Sequence, residues 1–263
     1  SVHLAPVFAG GQYFGTVSIF RDRTKEVEVD RMKSDFVSTV SHELRTPLTS
    51  IKGYTDLILM GATGELSEAQ NRYLQVIKTN ADRLQELVND LLDISRLETG
   101  RTKLDLKLIE MPQIIDEVVN GHLQGRIRHE NKEMNTEIVI TAGLPLVNGD
   151  ATRITQVLTN LIDNAFNYTP AGGTITVLAR HEKNKVSVSI RDTGYGIDPA
   201  QQDKIFDRFY RADDARIQKV SGTGLGLPIV QSLVEMHGGE LLLQSQPGQG
   251  STFTFTLPCI TAE

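Results

Sequence analysis

Two long stretches of helical apolar spacing, parted only by Gly61-Ala62-Thr63-Gly64, constrain this chain most. Before the break, Val37, Val40, Leu44, Leu48 and Ile51 recur at three and four residues and form one helical stripe. Val29, Met32 and Phe36 carry the same pattern back to about Lys25. After the break, from about Ser67 to Thr99, the residues Tyr73, Ile77, Asn80, Leu84, Leu87, Leu91 and Ile94 alternate steps of four and three. That is a heptad seam, and Asn80 is its polar member, of the kind that sets register and oligomer number when buried. Two amphipathic helices joined by a short loop form a hairpin with too little core to stand alone. Two copies close a four-helix bundle. Read by itself, the hairpin is a dimerisation module.

The first helix also carries Ser41-His42-Glu43-Leu44-Arg45-Thr46-Pro47-Leu48. His42 is two positions from both Val40 and Leu44, roughly 200° around the helix, so it faces water. Thr46 is four residues on and shares its face. Pro47 donates no backbone hydrogen bond, which leaves the Glu43 carbonyl without a helical partner and predicts a kink there. A neutral imidazole is a good nucleophile near physiological pH. Glu43 could accept its other ring proton and hold the tautomer that frees a lone pair. A lone surface histidine is the plainer alternative, but the whole string Phe36 to Ile51 resembles the phosphoacceptor box of sensor histidine kinases.

The 263 residues suffice for two domains of usual size. A net charge of −6 argues against nucleic acid and anionic membranes as partners. The single cysteine, Cys259, excludes an intrachain disulfide and fits a reducing, cytoplasmic setting. No apolar run is long enough to span a bilayer, although sensors of this type often carry membrane segments upstream. Residues 1–24 read as two β-type runs around Gly10-Gly11. They resemble the last strands of a PAS sensor domain; an unrelated hairpin is the alternative.

Beyond Gly100 the composition changes. Strand-like Lys103–Leu108 leads to a helix near Pro112, and a further strand-like run covers Thr136–Thr141. A helix then runs from after Asp150 to about Asn167, with strands at Thr174–Ala179 and Lys185–Arg191. A last helix spans about Gly226 to His237, before strands Glu240–Ser245 and Thr252–Leu257. Strands and helices mix without strict alternation, which predicts an α+β sandwich of a mixed sheet on helices. In the middle helix Asn160, Asn164, Asn167 and Tyr168 share one face, opposite Leu158, Leu161, Ile162 and Ala165. Asparagine is a poor helix former, so this row has a use. Its carbonyls can ligate Mg²⁺, or it is a hydrogen-bonded polar cluster. Asp192-Thr193-Gly194-Tyr195-Gly196 follows a strand, where a carboxylate can accept from an exocyclic amine such as adenine's. Gly222-Thr223-Gly224-Leu225-Gly226 precedes a helix, and its backbone N–H groups suit phosphates. Between them Ile205 to Asp213 reads as a flap with aromatic anchors, Phe209 among them, and with Arg211, Arg216 and Lys219 able to reach a triphosphate.

In this order the motifs resemble the N, G1, F and G2 boxes of the histidine-kinase ATP-binding domain of the GHKL (Bergerat) superfamily. The resemblance spans about Lys25 to Pro258 and implies three parts: residues 1–24 as a PAS end, 25–100 as the dimerisation and phosphotransfer hairpin, and 101–263 as the ATP-binding domain. It implies that Asn164 binds Mg²⁺ with Asn160 in support, that Tyr168 packs on the nucleotide, and that Asp192 reads the adenine amine. Gly194 and Gly196 would border the base, and Gly222, Gly224 and Gly226 the phosphates. It further implies a homodimer in which His42 takes the γ-phosphate and passes it to an aspartate of a response regulator. Glu43 to Thr46 also resembles the pattern by which such kinases dephosphorylate their regulators, with Thr46 positioning water. Two positions depart from the pattern. Asn167 stands where many relatives carry a phosphate-contacting basic residue; it can hydrogen-bond but has no charge. Pro228 replaces a small residue in the first turn of the last helix, where proline is tolerated. A GHKL-type ATPase and a non-enzymatic dimeric scaffold remain alternatives.

Overall fold

The computed structural model describes residues 2–20, 24–100, 102–212 and 222–259. The chain divides into two compact units: Ser1–Val88 with Glu98–Arg101, and Asn89–Leu97 with Thr102–Glu263.

In the first unit, β1 (Val2–Ala9) and β2 (Gln12–Phe20) pair antiparallel about Gly10 and Gly11. Helix α1 (Thr24–Leu59) runs unbroken through Pro47, and α2 (Glu68–Glu98) returns after the glycine break. Lys52–Asp82 at 2.6 Å and the Lys78–Asp56 pair tie the antiparallel helices together. Such half-exposed pairs add little stability. Within one chain, α2 buries Ala81, Val88 and Leu92, one position round from the heptad seam. The seam itself is left outward at its first half: Tyr73, Ile77 and Leu84 are exposed. Asn80 is exposed too, and its Nδ2 donates to the Val76 carbonyl of its own helix. In the single chain it is thus a local back-bond, and not a buried register pin.

The second unit is a mixed five-stranded sheet in the order β4-β6-β7-β9-β8, covered on one face by helices. Its strands are β4 (Asn135–Ile140), β6 (Thr174–Glu182), β7 (Lys185–Asp192), β8 (Leu241–Gln246) and β9 (Gly250–Pro258). Only β4 and β6 pair in parallel. Alternate residues Ile175, Val177 and Ala179 of β6 and Phe253, Phe255 and Leu257 of β9 point into the core, as period-two strands require. The helical layer holds α5 (Ala151–Tyr168), α6 (Gly226–Met236) and a helix in three parts. Those parts are α3 (Met111–Asp116), a π-helical turn Glu117–Leu123, and α4 (Gln124–Glu130). The expected strand at Lys103–Leu108 shrinks to β3 (Lys107–Ile109), because its partner β5 (Val147–Gly149) offers only three residues. β5 is too short to show alternation in the sequence, and the π turn, which contains Gly121, leaves no periodic signal either.

His237 closes the helical layer. It is buried; Nδ1 donates to the Leu233 carbonyl at 2.7 Å and Nε2 accepts from the Asp150 backbone N–H at 3.0 Å. Asp150 is the N-cap of α5, its Oδ1 accepting from Arg153 N at 3.2 Å. His237→Leu would orphan the Asp150 N–H, and the expected cost is about 1–3 kcal/mol in a denaturant titration. Loss below the error of that titration would refute the role.

Candidate functional site

Helix α5 presents its apolar side to the core through Leu158, Leu161, Ile162 and Phe166, so the opposite row is turned outward. Asn160, Asn164, Asn167 and Tyr168 are all half-buried on that row. The Asn160 Nδ2 is sealed from solvent and has no hydrogen-bond partner among the described residues.

Two loops close over the row. The first leaves the end of β7. Asp192 Oδ1 accepts from the Gly194 N–H at 2.8 Å and the Ser251 N–H at 3.2 Å, which leaves Oδ2 for another donor. Burial pushes this carboxyl above the usual carboxylate range, with the two N–H groups pulling the other way. The Tyr195 N–H donates to the Tyr168 carbonyl, bracing the loop on the end of α5. At Gly196, φ is +69° and an added Cβ would meet the Gln246 carbonyl at 1.9 Å, so only glycine fits.

The second loop precedes α6. A Cβ on Gly222 would stand 3.8 Å from the Tyr168 hydroxyl, and one on Gly226 3.8 Å from Asn160 Cγ. The structure therefore brings both ends of the glycine loop to the asparagine–tyrosine row. Burial raises the Tyr168 phenol, while the positive charge of Arg211 opposes the shift, which places Arg211 within electrostatic reach. Leu225 is the buried N-cap of α6, and Pro228 sits buried in its first turn. Thr223 Oγ1 accepts from the Leu225 N–H at 3.1 Å and donates to Asp90 at 2.9 Å. Asp90 belongs to the Asn89–Leu97 end of α2, which clusters with this unit. That contact spans 133 positions, beyond the reach of any local sequence pattern.

The flap differs from expectation. Ile205 is buried, and Phe206 and Tyr210 pack on the core, but the Phe209 ring is 62% exposed. Phe209 is held by its backbone, its N–H donating to the Gly224 carbonyl at 3.0 Å with φ +62°. Phe209 thus does not pack on the core in this conformation. Asp213, Arg216, Lys219 and Ser221 lie outside the described residues.

On the far side of the row, Asn167 Oδ1 accepts from Arg126 of α4, and Asp163 Oδ1 accepts from His122 of the π turn at 2.8 Å. The bond to Asp163 raises the His122 imidazole above its ordinary value, with burial opposing. A group raised on folding stabilises most below its unfolded value near 6.5 and loses that contribution as pH rises through the folded one. The advantage in melting temperature of the wild-type chain over His122→Gln is thus expected to be larger near about pH 6 than near about pH 9. A constant difference would contradict it.

In the first unit, His42, Glu43 and Thr46 are all exposed on α1, while Ser41 and Leu48 are buried. Among the described residues, no hydrogen bond joins Glu43 to His42. The expected carboxylate–imidazole contact is therefore absent in this conformation.

A mixed sheet whose helical layer offers an amide row between two glycine loops, in one chain with a hairpin that exposes a histidine, defines the class: a Bergerat-type ATP-binding domain following a phosphoacceptor hairpin in sequence. Residues 149–261 match the family described as histidine kinase-, DNA gyrase B-, and HSP90-like ATPase, and residues 32–100 match the His Kinase A (phospho-acceptor) domain. Similar proteins include the sensor histidine kinase WalK of Bacillus subtilis (strain 168), 36% identical over 94% of this chain and 40% of its own length. Drug sensory protein A of Synechocystis sp. is 39% identical over 92% of this chain and 37% of its own. Among solved structures, full-length ShkA in complex with AMPPNP aligns with TM-score 0.72 and 31% identity over 87% of this chain and 46% of that one. The chain therefore carries a phospho-acceptor domain and a histidine kinase-like ATPase domain, and it resembles sensor histidine kinases over both. It spans about two fifths of the length of the curated relatives it matches. Among the described residues, no helix is long and apolar enough to cross a membrane.

Proposed function

We propose that this chain binds ATP in its second unit, phosphorylates His42, and passes the phosphate to an aspartate of a response-regulator receiver domain. The observation that carries the reading is Asp192, buried, satisfied through one oxygen and with the other left for an amine, beside an amide row capped by glycine loops. The adenine amine donates to Asp192 Oδ2, Gly194 and Gly196 border the base, and Tyr168 packs on the nucleotide. The phosphates lie along the backbone of Gly222, Thr223, Gly224, Leu225 and Gly226 at the start of α6. Arg211 supplies a cation.

Mg²⁺ fits this donor set. The described residues hold no cluster of three His, Cys, Asp or Glu, while Asn164, supported by Asn160, offers side-chain oxygen that a hard cation accepts alongside phosphate oxygens. When bound it neutralises phosphate charge. The unpartnered Nδ2 of Asn160 supports a polar ligand there. His42 attacks the γ-phosphorus in line; the bond to the bridging oxygen breaks, ADP leaves, and Glu43 takes the ring proton. Positioning and charge stabilisation do most of the work in such transfers.

The working unit is a homodimer. Leu44, Ile51, Tyr54 and Leu57 of α1 and Tyr73, Ile77 and Leu84 of α2 are exposed in the single chain, an apolar load that a second hairpin would cover. We assign residues 1–24 to the end of a PAS domain, 25–100 to the phosphotransfer hairpin and 101–263 to the ATP-binding domain, acting in the cytoplasm. An ATPase reading is disfavoured, because an amide at Asn160 cannot take a proton from water.

Incubation with γ-labelled ATP tests the reading. Acid-labile, base-stable label supports the kinase, steady phosphate release without label supports an ATPase, and neither supports a scaffold. For the reverse activity, Thr46→Ala is expected to slow regulator dephosphorylation about tenfold or more while sparing autophosphorylation. Equal loss of both would sink that role.

A further inference from the structure

Asn167 is treated differently from the other amides of its row. Arg126 Nη2 donates to Asn167 Oδ1 at 3.0 Å. The same guanidinium is pinned on three more sides: Nη1 to Asp163 Oδ1 at 2.6 Å, Nε and Nη2 to Glu130 Oε1 at 3.1 and 2.7 Å, and Cζ at 4.4 Å from the Phe166 ring centroid. A planar fork held at so many points has one orientation, and so does the amide it touches. A side-chain amide offers an acceptor on oxygen and two donors on nitrogen. With Oδ1 committed to a cation, what remains is Nδ2, which has no protein partner among the described residues. Around α5, Asn167 lies roughly 40° from Asp163 on one side and roughly 20° from Asn160 on the other. Its free nitrogen therefore stands at the edge of the amide row.

We propose, resting on the ATP reading above, that Arg126 is a positioning residue that locks Asn167 as a hydrogen-bond donor to the anionic polyphosphate end of the nucleotide. An unrestrained amide can present either oxygen or N–H to a ligand. The locked one presents only N–H, which suits phosphate and rejects a cation. Asp163 would otherwise place a bare negative charge next to this donor; Arg126 and His122 both bind its Oδ1 and offset it. The side chain at 167 carries no charge, and the orienting cation comes from a different helix.

The test measures binding of AMPPNP, ADP and adenosine, with Mg²⁺ present, to the full 263-residue chain by calorimetry. Arg126→Gln is expected to weaken AMPPNP about tenfold, the equivalent of one well-placed hydrogen bond, and adenosine less than about twofold. Asn167→Asp keeps the acceptor for Arg126 and replaces the donor by oxygen. It is expected to match or exceed the wild-type melting temperature and still lose about tenfold or more in AMPPNP affinity, with adenosine unchanged. Stability and affinity moving in opposite directions cannot come from a structural role alone. If Arg126→Gln fails to fold, the Asn167→Asp arm decides. Equal loss for all three ligands, or an Asn167→Asp chain that binds AMPPNP like wild type, overturns the proposal while leaving the ATP site standing. A wild-type chain that binds none of the three ligands overturns the ATP reading, and the proposal with it.

Discussion

His42→Ala is expected to remove acid-labile phosphate from the chain altogether while nucleotide binding persists. The residue is exposed on α1, so truncating it costs the hairpin little. Every side chain assigned to the nucleotide lies in the other compact unit, so AMPPNP affinity should stay within about twofold of wild type. A nucleophile has no stand-in: Glu43 and Thr46 offer oxygens, whose phosphate adducts are not acid-labile and base-stable. Incorporation from γ-labelled ATP should fall at least about a thousandfold, to background. Residual label with the same acid and base behaviour would mean that another histidine is the acceptor.

Asp192→Asn is expected to have the largest effect on binding, with ATP affinity about a hundredfold lower or worse and little change in stability. The amide keeps an oxygen for the Gly194 and Ser251 N–H groups, which anchor the loop. It replaces the remaining carboxylate oxygen with NH₂, so a donor faces the adenine amine. Asp192→Ala separates the two duties. It orphans two buried N–H groups at about 1–3 kcal/mol each and should lower stability as well. An Asp192→Asn chain that bound ATP normally would refute the adenine contact. Because burial raises this carboxyl, its ligand affinity should begin to fall at a higher pH on acidification than an ordinary aspartate would give.

Much of this was legible residue by residue. The heptad steps from Tyr73 to Ile94 predicted α2 nearly to its ends, and the helix expected after Asp150 is α5. Local patterning suffices there because one helix face is apolar. Short or backbone-driven features were not legible. Three residues of β5 cannot display a period. Phe209 reads as an aromatic anchor from its type, yet it is exposed and takes a left-handed φ. Asn80 reads as a core polar residue, yet which face of α2 packs inside one chain depends on where α1 lies, and the buried row proved to be Ala81, Val88 and Leu92.

The sequence by itself determined that His42 faces water, that an amide row lines one side of α5, and that glycine loops flank it, because spacing along a helix and the absence of Cβ atoms are local properties. Only the tertiary structure decided which groups complete those features. Asp90 meets Thr223 across 133 positions, and Arg126 meets Asn167 across 41. Nothing in a helical or strand period encodes a hydrogen bond between segments that come together only once the helical layer has packed on the sheet.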